Sequence, residues 1–133
     1  MLNSTAQENY KQFAKYEKKV LIVSDKIDEQ AFLIGKCIDA GIKETNIMQV
    51  NSIFEIEKLI SNSLTHIIID ANLYNYFVAN ILEKYIDSKL ISVFIFHSKN
   101  GAKTIRLITD SRLYHINSNT TPFLLQKMFD KTK

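Results

Sequence analysis

Five short apolar runs recur along the chain, at residues 20–23, 47–50, 66–69, 91–96 and 113–116. Most of them are hydrophobic throughout and do not alternate with polar residues. Continuous runs of this length are typical of strands that are buried on both faces, as in parallel sheets covered by helices. The pattern therefore predicts five parallel strands.

The segments between the runs carry apolar residues at helical spacing. The first stripe is Ile27, Ala31, Ile34 and Ile38, on a helix that ends near Gly41. The next two stripes are Ile53, Ile56 and Ile60, and then Phe77, Ile81 and Tyr85. A fourth helix has only the short stretch 102–108 available.

A last helix is predicted to begin after Thr121, which can cap it, with Pro122 in its first turn. Leu125, Met128 and Phe129 supply its buried face. Strand and helix then alternate five times, and right-handed crossovers give a doubly wound, three-layer α/β sandwich, (βα)5. In such a fold ligands bind outside the carboxyl ends of the strands.

The chain has 133 residues, of which 46% are hydrophobic, which fits one globular domain. We assign residues 19–133 to that domain and residues 1–18 to an N-terminal arm with a short amphipathic helix. The single cysteine, Cys37, cannot form an internal disulfide and suits a reducing cytosol. No signal peptide and no apolar run of about 20 residues is visible, which predicts a cytoplasmic protein without a membrane anchor.

The net charge of +3 is carried by lysines near the two ends of the chain. A nucleic-acid binder concentrates its basic residues on the folded body, among aromatics that can stack on bases. Direct nucleic-acid binding is therefore not expected.

Polar side chains gather where the predicted strands end. The first strand is followed by Ser24 and Asp25, the third by Asp70 and Asn72, and the fourth by Ser98. Two carboxylates at one edge would repel each other, and a hard cation such as Mg²⁺ would relieve the conflict. Two simpler interpretations remain open: Asp25 caps the first helix, and Asp70 and Asn72 bond to their own backbone in a turn.

These residues resemble the receiver domain of bacterial response regulators, the CheY-like family, over residues 19–130. The resemblance implies a flavodoxin-like sheet of order 2-1-3-4-5 and a phosphoacceptor at Asp70. It also implies Mg²⁺ ligands from Asp25, Asp70 and the carbonyl of Asn72. Ser98 and Tyr114 fall where the family has its switch pair.

Two departures from the family pattern affect the predicted site. Ser24 stands where the family has the first of two acids, so Mg²⁺ is expected to bind weakly or not at all. Asn117 stands at the position of the family's lysine, and it can donate a hydrogen bond but cannot neutralise a phosphoryl group. Lys99, Lys103 and Arg106 are the cations that could approach the site from the loop after the fourth strand.

The leading hypothesis is a non-enzymatic receiver-like module of a two-component phosphorelay, with impaired phosphorylation, that acts through protein contacts. The resemblance implies a histidine kinase or a downstream signalling protein as partner, and a dimer is an open alternative. A second hypothesis is a working receiver with Asp70 as phosphoacceptor. A third, from another class, is a small flavodoxin-like enzyme or flavin carrier.

Overall fold

The structure, a computed structural model, describes residues 17–60, 63–98 and 110–132. Most of the predicted N-terminal arm and the short predicted helix at 102–108 lie outside these ranges. The described strands are β1 (Val20–Val23), β2 (Ile47–Val50), β3 (His66–Asp70), β4 (Ser92–His97) and β5 (Tyr114–Asn117).

The five strands form one parallel sheet in the order β2-β1-β3-β4-β5. This confirms the predicted strand order and the doubly wound α/β class. In the register Val23 pairs with both Val50 and Ile69, and Asp70 pairs with Phe96. The carboxyl ends of β1, β3 and β4 therefore meet at one edge of the sheet.

The described α-helices are α1 (Ile27–Asp39), α2 (Ile56–Ile60), α3 (Tyr76–Asp87) and α4 (Pro122–Lys131), with 3-10 turns at Glu44–Asn46, Ile53–Glu55 and Ala71–Leu73. The predicted start of the last helix is confirmed, because Thr121 Oγ1 accepts a hydrogen bond from the Leu124 N–H at 3.1 Å. Asn75 caps α3 in the same way, through Val78 N–H at 3.0 Å.

The core lies in two layers, one on each face of the sheet. Odd-numbered strand residues such as Leu21, Ile67 and Ile95 pack with α2 and α3. Even-numbered residues such as Ile22, Ile68 and Phe94 pack with α1 and α4. The prediction of strands buried on both faces is confirmed for β1, β3 and the middle of β4, whereas the edge strands β2 and β5 are partly exposed.

The predicted buried stripe of α1 was wrong. Ile27 is 81% exposed and Ile38 is 40% exposed. The residues of α1 that are buried are Glu29, Gln30, Leu33 and Cys37. The helix is turned in this way because the polar side chains of its first turn find hydrogen-bond partners at the strand ends, which the hydrophobic pattern does not register.

The predicted stripe of α3 was wrong by one position. Its buried residues are Val78, Leu82 and Ile86, while Phe77 is exposed and Ile81 and Tyr85 are only partly buried. No helix within the described ranges is both long and apolar enough to cross a membrane.

His66, the first residue of β3, is buried in the layer that contains α4. Its two ring nitrogens lie 2.7 Å from Thr65 Oγ1 and 2.7 Å from Thr132 Oγ1. Its ring packs edge-on against Phe94 and Phe129. Burial, with a smaller contribution from the charge of the nearby Lys18, lowers the pKa of His66 from 6.5 to about 3.

We expect the fold to lose stability in acid through His66. The unfolded chain takes up this proton near pH 6.5 and the folded chain only near pH 3, so the stabilisation is complete above 6.5 and falls as the pH drops towards 3. The slope is about 1.4 kcal/mol per pH unit at most. Urea unfolding at a series of pH values measures it.

The control for this prediction is the same substitution at an exposed histidine, His115. His66→Phe keeps a ring in the core and should remove this part of the acid slope, whereas the exposed His115→Phe should keep it. Equal slopes in the two variants would contradict the assignment to His66.

Candidate functional site

Ser24 and Asp70 lie side by side at the carboxyl edge of the sheet. Ser24 extends β1 by one residue, because its N–H donates to Val50 O at 3.1 Å. Side chains alternate between the two faces of a strand, so Ser24 and Asp70 share the face of Ile22 and Ile68, towards α1. Ser24 is 0% exposed and Asp70 is 1% exposed.

The first turn of α1 closes over this edge. Ser24 Oγ–H donates to Glu29 Oε2 at 2.6 Å. Gln30 Nε2 donates to the carbonyls of Ser24, at 2.5 Å, and Val50, at 3.3 Å. Glu29 and Gln30 are each only 9% exposed. These bonds bring a second carboxyl group, Glu29, into the pocket that contains Asp70.

Asp70 uses one carboxylate oxygen for local structure. Its Oδ1 accepts a hydrogen bond from the Asn72 N–H at 2.7 Å, which caps the turn Ala71–Leu73. The turn interpretation of Asp70 is therefore confirmed for this oxygen. The other oxygen, Oδ2, is buried and has no hydrogen-bond partner among the described residues. Asn72 itself is exposed.

Asp25 lies outside the pocket, on the surface. Strand alternation explains this, because the residue after Ser24 points away from the face that α1 covers. The interpretation of Asp25 as a helix cap is wrong: Lys26 is the N-cap residue of α1, and no side chain caps it. The acid that interacts with Asp70 is instead Glu29, which was not among the residues predicted for the site.

Two carboxyl groups in a buried pocket oppose each other's charge. Burial, and after it the hydrogen bond to and the charge of the neighbouring Asp70, raise the pKa of Glu29 from 4.5 to about 7. The hydrogen bond from Ser24 and the charge of Lys26 act in the opposite direction and are weaker. The pocket therefore disfavours two negative charges when no cation neutralises them.

Ser98 and Tyr114, the predicted switch pair, are separated in the structure. Tyr114 pairs with Phe94, and its ring lies 5.1 Å from the Phe94 ring, centre to centre. Ser98 comes four residues after Phe94, about 13 Å further along the strand direction. Ser98 Oγ is buried and, like Asp70 Oδ2, has no partner among the described residues. A switch role for the pair stays a prediction.

Asn117, at the position of the family's lysine, forms hydrogen bonds within the turn that follows β5. Its Oδ1 accepts a hydrogen bond from the Asn119 N–H at 2.8 Å, and its N–H donates to Thr120 Oγ1 at 3.0 Å. Lys36 Nζ, on α1, donates to the carbonyls of Ser118 and Thr120. The other proposed cations, Lys99, Lys103 and Arg106, lie outside the described residues.

A pair of histidines lies beside the pocket. His97 Nε2 is 2.8 Å from His115 Nδ1, and the two rings stack with centres 5.1 Å apart. Burial lowers the pKa of His97, and His115 lowers it further, while the negative charge of Asp70 raises it. The register of β4 and β5, in which His97 pairs with Asn117, is what brings them together.

The oxygen donors at this edge could hold a hard divalent cation, with fewer protein ligands than the family pattern has. Within the described ranges no three His, Cys, Asp or Glu side chains are grouped as a metal site. Mg²⁺ nevertheless needs only one or two carboxylates, with water completing its shell. Asp70 Oδ2 and Ser98 Oγ are buried oxygens with no partner, and Glu29 supplies a second carboxyl group.

No family model matches the sequence, and no curated protein matches it. Solved structures do match. A response regulator receiver domain from Clostridium thermocellum has a TM-score of 0.62 at 15% identity, covering 86% of this chain and 92% of that one. A structure described as a pilus assembly-related protein from Burkholderia pseudomallei gives 0.65 at 13% identity, covering 87% and 89%.

The lysine decarboxylase LdcF of Francisella novicida gives a TM-score of 0.63 at 12% identity, covering 86% of this chain and 17% of that one. At such low identities the matches show the fold alone. The chain has the fold of CheY-like receiver domains, which confirms the fold that the resemblance implied. The same fold serves proteins of more than one class, so function depends on the site.

We expect Glu29→Gln to stabilise the protein above about pH 7 when a chelator keeps cations away. The pKa of Glu29 is higher in the folded protein than the ordinary 4.5, so its ionisation costs stability as the pH rises from 4.5 to about 7. Glutamine accepts the same hydrogen bond from Ser24 without the charge. We expect a gain of about 1–2 kcal/mol in the free energy of unfolding.

Asp28→Asn is the matched control, since Asp28 is an exposed acid in the same turn of α1. It should cost no more than about 0.5 kcal/mol. Destabilisation by Glu29→Gln at pH 8, measured by urea unfolding, would contradict the electrostatic description of the pocket.

Proposed function

We propose that this chain is a receiver-like signalling module of a bacterial two-component phosphorelay, in which phosphorylation is impaired and protein contacts carry the signal. The observation that carries the proposal is the state of Asp70. It ends the central strand of a receiver fold, as a phosphoacceptor would, yet its carboxylate is buried beside a second acid.

Burial and charge both oppose transfer of a phosphoryl group to Asp70. A donor must reach an oxygen that is closed off from solvent. The product would add about −1.5 to −2 charges to a pocket that already contains Glu29. A fixed ammonium about 4 Å away would contribute roughly 4 kcal/mol per unit charge against this cost. Asn117, which stands in place of that ammonium, is uncharged.

An exposed aromatic cluster supports a role in protein binding. Phe54 and Tyr76 are 71% and 76% exposed, and the Phe54 and Phe77 rings lie 5.3 Å apart. The turn Ile53–Glu55 and the start of α3 both follow the carboxyl ends of strands, so the cluster borders the edge that holds Asp70. Exposed aromatic groups of this kind are typical of protein interaction sites.

The second candidate is a receiver that is phosphorylated at Asp70. One specific observation favours it: Asp70 Oδ2 has no hydrogen-bond partner within residues 17–60, 63–98 and 110–132, so an oxygen is left for a phosphoryl group. In this case a cation from the loop after β4 would replace the family's lysine. An enzyme or flavin carrier is less well supported, because acids Asp28 and Glu29 occupy the start of α1, where a cofactor phosphate would need a positive field.

We expect little or no phosphorylation when the protein is incubated with acetyl phosphate and Mg²⁺. Intact-mass spectrometry measures the phosphoryl adduct, with Asp70→Asn as the blank and a receiver domain that has the usual lysine as the positive control. Glu29→Gln should increase the labelling above the wild-type level, because it removes a negative charge beside the acceptor.

Stoichiometric labelling of the wild-type protein, lost in Asp70→Asn, would establish the second candidate instead. Beryllofluoride with Mg²⁺ gives an independent test, since resonances around Asp70, Ser98 and Tyr114 should then shift. A flavin absorbance in the purified protein would favour the carrier.

A further inference from the structure

Two histidines meet on the face of the sheet opposite the Asp70 side chain. His97 ends β4, and His115 in β5 pairs with Ile95, two residues before His97. Residues two apart on a strand point to the same face, so both imidazoles lie on the Ile95 side of the sheet. Asp70 pairs with Phe96, whose side chain points to the other face. The histidine pair is therefore separate from the acids of the pocket.

The ring nitrogens that face each other are suited to binding a metal ion. His97 Nε2 lies 2.8 Å from His115 Nδ1, and the two rings are stacked. Neutral imidazole is the commonest protein ligand of metals. Two Zn–N bonds of about 2.0–2.1 Å at a tetrahedral angle hold their nitrogens about 3.3 Å apart. A zinc ion therefore requires the nitrogens to separate by only about 0.5 Å, and the His115 ring, which is exposed, is free to rotate by this amount.

The protonation state of His97 also suits a metal. Burial, and after it the charge of His115, lower the pKa of His97 from its ordinary 6.5. This imidazole is therefore uncharged at neutral pH, which is the form that binds a metal. In the present hydrogen bond one ring donates its N–H to the other. Metal binding moves that proton to the second nitrogen of the same ring, so it changes the tautomer and not the charge.

The other soft or borderline ligands of the chain are buried. The sequence contains three histidines and one cysteine. His66 is 0% exposed, and its two ring nitrogens lie 2.7 Å from the hydroxyl oxygens of Thr65 and Thr132. Cys37 is also buried. A metal that this protein binds through imidazole therefore has to use His97, His115 or both.

We propose that His97 Nε2 and His115 Nδ1 bind a divalent transition metal of the zinc type, with water in the remaining positions. Within the described ranges no group of three His, Cys, Asp or Glu side chains forms a metal site. We therefore expect an open site that is weaker than a structural zinc site with four protein ligands. A bound ion would join the end of β4 to the edge strand β5. This inference goes beyond the proposed function and does not rest on it.

Zn²⁺ is the probe for this site. The full chain, without an affinity tag, is titrated at about pH 7.5, where imidazole is mostly neutral. Excess Mg²⁺ is present, since this hard cation competes for oxygen ligands and not for imidazole. Long-range proton–nitrogen correlation spectra report each ring nitrogen separately. We expect saturable shifts of His97 Nε2 and His115 Nδ1, while both ring nitrogens of His66 stay unchanged.

His97→Asn and His115→Asn should each weaken Zn²⁺ binding at least about tenfold, because even the loss of a group that supports a ligand typically has an effect of this size. Asp25→Asn, which removes an exposed acid from the same edge of the sheet, is the matched control and should bind as the wild type does. A competing chromogenic chelator measures the affinities. Near-ultraviolet circular dichroism of each variant checks that it is folded.

Three outcomes would overturn the proposal. Absence of saturable shifts in the wild-type protein would mean that the two rings only bond to each other. Unchanged binding in both histidine variants would place the metal on other ligands, and loss in only one variant would show a single imidazole ligand. None of these outcomes bears on phosphorylation of Asp70, which the acetyl phosphate experiment reads separately.

Discussion

The alternation of side chains at the carboxyl ends of β1 and β3 decides which groups enter the pocket. Because Ser24 and Asp70 share the face that α1 covers, they are buried together, and Asp25 is left on the surface. A buried hydroxyl needs a partner, and the first turn of α1 supplies Glu29. Side-chain alternation thus keeps Asp25, which follows β1, out of the pocket, and the pocket takes Glu29 from α1 instead.

The fold could be predicted from the sequence because its signals are local and mutually consistent. Continuous apolar runs located all five strands, and the Thr121 and Pro122 pair located the start of α4. The faces of α1 and α3 could not be predicted in the same way. In α1 the burial of Glu29 and Gln30 depends on hydrogen bonds to Ser24 and Val50, which are distant in sequence or invisible to hydropathy.

The candidate site was predictable only where a residue ends a strand. Asp70 stands out because an acid directly after three isoleucines has no role in packing, and the structure buries it at the expected edge. Glu29 gave no such signal, since an acid in the first turn of a helix is ordinarily there to favour the helix dipole. The contact between His97 and His115 required the register of two edge strands, which a single sequence does not specify.

The contacts of Lys36 show how the loop after β5 departs from the receiver pattern. Its ammonium group donates to the carbonyls of Ser118 and Thr120 and lies 4.8 Å from the centre of the Phe32 ring. These contacts fix the loop between β5 and α4, where the family would have a lysine that faces the phosphoryl group. A positive charge is therefore present near that loop, but it comes from Lys36 on α1. Its hydrogen bonds go to backbone carbonyls of the loop.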